Sequence, residues 1–427
     1  MKHDKKFMNK LIGLSAVSLL LTSCAFAAKE SSPLDWKTCQ ETAMKYNPSL
    51  AGYRYLLESS RYSYYASRNK DLPYPGVTAS HSYTRSGGTS SPSDAFSLGL
   101  NASETLFSYQ NYTDLKSQLK SVEQADLNLR TSLADTRKTL LTSFVNLLYM
   151  QEKIKVMEDV INIRRKSAET IDLKYESGRE SAGNRLQTQA QLAQAEADLE
   201  QAKRDTLTAR RNLTASMGQD EFVPYIASGT LASPAAVKEM DVDDAALSVL
   251  SVLSAKKSLE LSEIKYAQSD STLYPSLSAS QSLGWNGASE LPGNRNWSLG
   301  LSLSWPLFSN GPTYYANNKA ALKNQLEKVK TDYRSAVLAA KYNLQAALAD
   351  LQTNIAGIKT SELLLEAARR RHEESEIQYL AGTLTFQNWQ DVESELVSAE
   401  QSYLSSLKSA NISRIQMDNL LGVPLGD

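Results

Sequence analysis

The segment NWSLGLSLSWPLFS, residues 296–309, alternates with a period of two. Trp297, Leu299, Leu301, Leu303, Trp305 and Leu307 share one side of an extended chain, and Ser298, Gly300, Ser302, Ser304 and Pro306 share the other. That period predicts a β-strand with one strongly apolar face. Upstream, SLSASQSLGW (276–285) sets Leu277, Ala279, Leu283 and Trp285 against serines. GVTASHSYT (76–84) sets Val77, Ala79 and Tyr83 against small hydroxyl residues, with His81 on the apolar side. Segment 96–107 alternates less cleanly, because Glu104 falls in register with Trp305. Four strands are therefore expected, at about 75–85, 96–107, 275–285 and 297–308.

The rest of the chain reads as helix. No proline occurs from Tyr109 to Phe222, and the helical pattern of that stretch is interrupted near Gly178 and Gly183; Thr313 to Val423 is interrupted near Gly382, before its closing proline. Residues 110–176 as one helix would run about 100 Å, longer than any globular core needs. Leu344, Leu348, Leu351, Ile355 and Ile358 step by four and three, and Leu140, Phe144, Leu147, Ile154 and Ile161 follow the same heptad grid. So narrow an apolar stripe is a coiled-coil seam. Single shorter helices are expected at 35–70 and 242–270. The run Arg369-Arg370-Arg371-His372-Glu373-Glu374 fits a solvated helix face, with partner docking as the alternative.

The chain also repeats itself. Residues 72–85 resemble 272–285 with Pro75 and Pro275 in register, and 96–108 align with 297–309. YESG (175–178) matches YLAG (379–382), and SMG (216–218) matches LLG (420–422). A near-constant offset across four landmarks points to a tandem duplication. The expected organisation is a first repeat at 28–218, a connection at 219–241 containing Pro224, Gly229 and Pro234, and a second repeat at 242–423.

Composition narrows the class. The 427 residues carry 46 basic and 47 acidic side chains, a balance that gives no reason to expect nucleic acid as a partner. Mean hydropathy of −0.39 excludes a helical membrane protein. Residues 1–27 read as an export signal: a basic MKHDKKFMNK, then the apolar LIGLSAVSLLL, then small residues. Cleavage at about 27/28 after Ala25-Phe26-Ala27 competes with a lipobox reading of Leu21-Thr22-Ser23-Cys24, which would cleave at about 23/24 and lipidate Cys24. Cys39 then stands alone and reads as a packing residue. His3, His81 and His372 are isolated, and no phosphate-binding glycine loop or nucleophile elbow is present, so catalysis, a metal and a cofactor are all unexpected.

Two readings of the apolar strand faces compete. They pack on a soluble core, or they meet lipid. Strands of about 9–11 residues, apolar outward and small-polar inward, suit a transmembrane barrel. Lipid leaves no backbone group unpaired, so such a sheet has to close without edges, which four strands cannot do alone. The lipid reading thus requires several chains.

The order helix, strand, strand, long helix pair, given twice, with LSWPLFSNG at the strand-to-helix junction, resembles the TolC-like outer-membrane efflux protein family. LDWKTCQETAMKYNPSL (34–50) resembles that family's opening motif. The resemblance implies a mainly α fold with a small antiparallel β part, and a homotrimer whose four strands per chain make a 12-stranded barrel in the outer membrane. It implies a periplasmic tunnel of coiled-coil helices, and partners in a periplasmic adaptor and an inner-membrane pump, for efflux or type I secretion. The turns at Gly178 and Gly382 map to the periplasmic tips that an adaptor would contact. Asn388 and Asp391 map to pore-facing acids at the entrance, with Asn388 replacing one acid. Tyr379 matches a tyrosine that helps hold the entrance closed, Leu384 stands where its companion arginine is expected, and Asn184 takes the place of an acidic partner. On that mapping the entrance lock lacks two of its members, which leaves closure to coiled-coil packing. The alternatives are a passive, porin-like outer-membrane protein and a soluble periplasmic coiled-coil adaptor.

Overall fold

The computed structural model describes residues 33–85, 93–235, 240–288 and 293–426. The export signal and Cys24 lie outside them. In chain order the elements are β1 (Pro33–Leu34), α1 (Trp36–Tyr46), α2 (Pro48–Arg68), β2 (Tyr74–Thr84), β3 (Ser93–Phe107), α3 (Tyr109–Glu176) and α4 (Ala182–Ser216). There follow β4 (Ile226–Ala227), α5 (Val242–Ser248), α6 (Leu250–Gln268), β5 (Ser276–Gly287), β6 (Asn294–Ser304), α7 (Pro312–Leu380) and α8 (Phe386–Leu420). The chain is thus mainly helical, and its two halves run through one element order.

Where one helix was expected at the start of each half, there are two. Pro48 disfavours helical backbone at the residue before it. Asn47 is accordingly extended (φ −67, ψ 119), and its side-chain oxygen caps α2 by accepting from the Ser49 and Leu50 amides. The second half breaks at Val249 (φ −62, ψ 136) with no proline. Packing holds that bend: Ala246, Val249 and Val252 are all buried in a cluster with Ala340, Leu344 and Leu351 of α7.

Helices α3 and α7 have 68 and 69 residues, about 100 Å each, whereas α4 and α8 have 35 each. Each short return helix covers half of its long partner, and α2 or α6 covers the other half. The short helices meet end to end. At the end of α4, Gly218 (φ 78) lies so close to the Tyr46 carbonyl that a Cβ would sit 2.5 Å from it, and Asn47 Nδ2 donates to the Ser216 carbonyl at 3.1 Å. At the end of α8, Gly422 (φ 73) abuts the Leu250 side chain.

Apolar burial is distributed along the helices in small clusters. The largest joins Cys39, Leu50, Leu140, Phe144, Leu147, Leu213 and Met217 at mid-length, where the two-residue parallel ladder of β1 and β4 ties the inter-repeat connection down. Burial pushes the Cys39 thiol up to about 12.

Strands β2, β3, β5 and β6 form one antiparallel sheet in that order. Direct pairs such as Leu100 with Leu283, and Leu283 with Trp297, put the apolar positions of all four strands on one face. Serines pair on the other: Ser80 Oγ meets Ser97 Oγ at 2.7 Å, and Ser282 Oγ meets Ser298 Oγ at 2.8 Å. Among the described residues nothing covers the apolar face; Trp297 and Leu301 are 75% and 74% exposed. His81 stacks on Phe96 and bonds Asp94 at 3.0 Å. Glu104 pairs with Ala279 near the helix end of the sheet, one residue past the Ser103–Tyr74 pair that starts β2.

Strand β6 stops at Ser304, short of the 308 that alternation suggests. Ser304 pairs with Ser276, the first residue of β5, so no in-chain partner remains, and Pro306 has no amide to donate. The chain instead turns, with Phe308 (φ 53) and Asn310 (φ 89) in left-handed backbone. Strand β3 reaches Phe107 because a bulge at Leu106 lets Phe107 pair with Leu277.

Candidate functional site at the two hairpin turns

The α3–α4 and α7–α8 turns are built alike. Each long helix ends at a glycine in left-handed backbone, Gly178 (φ 70) and Gly382 (φ 80). The following amides reach back five residues, Arg179 to the Lys174 carbonyl and Thr383 to the Gln378 carbonyl. This is a Schellman ending, which supplies partners to carbonyls the helix leaves free. Each return helix then starts on a hydroxyl cap. Ser181 Oγ accepts from the Asn184 amide at 3.1 Å, and Thr385 Oγ1 accepts from the Asn388 amide at 3.3 Å. Asn184 and Asn388 are thus the same position of two copies of one turn.

Tyr379 welds the turns together. It is not on the surface with the other expected entrance residues but 3% exposed, in a cluster with Ile171, Phe386 and Trp389. Its ring lies flat on Trp389, centroids 4.4 Å apart, while Lys174 Nζ sits 3.5 Å from the ring centre on α3 and donates to the Tyr379 carbonyl at 2.9 Å. The hydroxyl donates to Glu180 Oε1 at 2.7 Å. Glu180 Oε2 accepts from Asn184 Nδ2 at 2.7 Å and from the Ser181 amide at 3.3 Å.

These contacts shift the groups. Burial and the adjacent Glu180 push the Tyr379 phenol up. Burial also favours neutral Glu180, but the bonds from Tyr379, Asn184 and the Ser181 amide, with the Lys174 charge, outweigh it and hold the carboxyl below its usual range. Burial lowers Lys174. The tyrosine therefore keeps an acidic partner. That partner is Glu180, and Asn184 serves it as a donor. The arginine place at Leu384 is apolar, and its side chain packs on the same cluster.

Asn388 and Asp391 are exposed on α8, with Asp391 on the side away from Trp389, and Gln387 Nε2 donates to Asp391 Oδ1 at 2.9 Å. Glu180, Lys174 and Trp389 went unrecognised in the sequence. Trp389 carried a usable signal, as the one tryptophan of the long helices and their return helices.

A subunit of two stacked helical hairpins hung from a half-exposed four-stranded sheet is the class of a channel-tunnel protein. The Outer membrane efflux protein family model matches residues 40–219 and 242–423, and the chain belongs to that family. No curated protein sequence matches the chain. Solved structures similar to it include CusC (16% identity, TM-score 0.83, covering 92% of this chain and 93% of that one). The outer-membrane channel OprN is similar at 20% identity and TM-score 0.80, over 91% of this chain and 89% of its own. The open state of the MtrE outer membrane channel of Neisseria gonorrhoeae is similar at 20% identity and TM-score 0.79, over 90% and 88%.

Proposed function

We propose that three copies of this chain form the outer-membrane exit duct of a tripartite efflux or type I secretion system. A periplasmic adaptor docks at the Gly178 and Gly382 turns, and an inner-membrane pump supplies the energy. The observation that carries this reading is the sheet. It has two free edges, β2 and β6, and an uncovered apolar face beside a hydroxyl-lined one. Lipid leaves no unpaired edge, so β6 of one copy pairs with β2 of the next, and three four-stranded sheets close as twelve strands. The internal repeat supplies the register. Asn101 pairs with Ser282 inside the chain, and the equivalent residues are Ser302 and Ser82. Hence Ser302 faces Ser82 of the partner subunit.

At the opposite end three Asp391 carboxylates ring the entrance and attract cations, with Asn388 weakening the ring and the Tyr379–Glu180 link holding each chain's hairpins together. Two experiments test the proposal. A Ser82→Cys/Ser302→Cys variant gives disulfide-linked trimers on oxidation, and neither single variant does. In planar bilayers the wild type conducts and is blocked by multivalent cations, and Asp391→Asn relieves the block. Absence of the linked trimer rejects the barrel; unchanged block rejects the ring.

A further inference from the structure

A second polar node lies above the turns, in a place where a coiled coil wants apolar residues. Along α8 the buried positions run Phe386, Trp389, Gln390, Glu393 and Leu396. Glu393 is wholly buried, and its carboxylate faces Arg164 of α3 at 3.1 Å. Ser167 Oγ of α3 donates to it at 3.0 Å and Gln390 Nε2 at 3.3 Å. Arg164 also donates to Gln191 of α4 at 3.2 Å, and to Gln390 and Ser394 of α8 at 3.4 and 3.3 Å. One guanidinium therefore reads the rotation of α8 against both helices of the other hairpin. The neighbouring ion pairs from α7 to α8, Arg371–Glu395 and Arg369–Glu400, have exposed arginines.

A polar residue at a seam position is an inefficient way to hold helices together, since well-packed apolar residues often do it as well or better. Its best attested use is to fix register, because any other setting strands a buried charge. Successive residues of a helix are about 100° apart, so Glu393 facing inward turns Asp391 to the far side. We infer that Arg164, through Glu393, is the positioning residue that sets the rotation of α8 and so holds the Asn388–Asp391 face at the entrance; this rests on the duct reading of that end. Without it the α8 seam has several settings of similar energy, and the entrance loosens.

The test separates positioning from adhesion. In Arg164→Met/Glu393→Leu, apolar side chains refill the seam, so the protein folds and assembles. The double variant is expected to raise the open-to-closed ratio in planar bilayers at least about fivefold, the lower end of ordinary coupling between sites. Its multivalent-cation block weakens although Asp391 is intact. Glu393→Gln moves both readouts the same way. Spin labels at Asn388→Cys and Glu169→Cys, both exposed sites, give a narrow distance distribution in the wild type and a broad or shifted one in the double variant. The distance measurement needs no conduction, so a protein that fails to conduct refutes the duct while leaving this inference to the labels. Wild-type distances in the double variant overturn it.

Discussion

Replacing Tyr379 with phenylalanine removes one oxygen and little else. The ring keeps its place on Trp389 and under Lys174, so the change isolates the bond to Glu180. A hydrogen bond to a charged acceptor contributes about 1.5–3 kcal/mol. Glu180 keeps two other donors, Asn184 Nδ2 and the Ser181 amide, so it is not orphaned and the lower end applies. A loss of about 1.5 kcal/mol in local stability is roughly a tenfold rise in opening. Unfolding of so long a chain, or of the trimer proposed for it, is not two-state, so the assay is amide hydrogen exchange. The amides of Arg179, Gly382 and Thr383, which close the two turns, are expected to exchange about tenfold faster in Tyr379→Phe, with none of this at Leu140 or Leu213. Acid should erase the difference. The folded pKa of Glu180 is depressed, so its contribution is present above the ordinary glutamate value and is lost as pH falls through the folded one. Equal exchange in variant and wild type at neutral pH, or acceleration spread evenly along α7, refutes the reasoning.

The glycines give a second comparison. Gly382→Ala meets open space and costs only left-handed backbone, about 1–2 kcal/mol, whereas Gly218→Ala adds a Cβ 2.5 Å from the Tyr46 carbonyl and 2.7 Å from Asn47 Cα, an overpacking of about 1–3 kcal/mol more. Heat resistance of the assembled protein on gels should fall clearly for Gly218→Ala and little for Gly382→Ala; equal falls reject the end-to-end joint. On the sheet, Leu301→Arg should cost about 2–4 kcal/mol at mid-bilayer and deplete the protein from the outer membrane, and Ser302→Arg should be tolerated. Matching losses at the two positions mean that the faces are misassigned.

The last strand was legible because, from Trp297 to Leu303, each of its faces carries one chemistry. The alternation of Trp297 to Leu303 against serine and glycine survives no other reading of period two. The long helices were legible from missing prolines and narrow seams, and the turns from Gly178 and Gly382. The Asn47–Pro48 break had a local signal that a count of apolar positions passes over. The Val249 bend had none, since packing against α7 makes it. Glu180 was missed for a related reason. Matching positions along the chain pointed to Asn184, but Tyr379 selects its partner by reach from one turn to the other, and Glu180 stands four residues earlier, in the turn itself. Nothing along the sequence sets Arg164 and Glu393 apart from the many other charges; only the meeting of α3, α4 and α8 makes them interior.

The end-to-end joints at Gly218 and Gly422 also set the mechanics of the shaft. Two of its rods per chain, α3 and α7, are continuous beams, while the α2–α4 and α6–α8 rods are spliced near mid-length. A splice carries compression but little tension, so a sideways load at the tip is taken up by flexing at that height. On the duct reading, movement at the hairpin turns is then met at the splices before it reaches the sheet, whose edges have the least tolerance for being pulled apart.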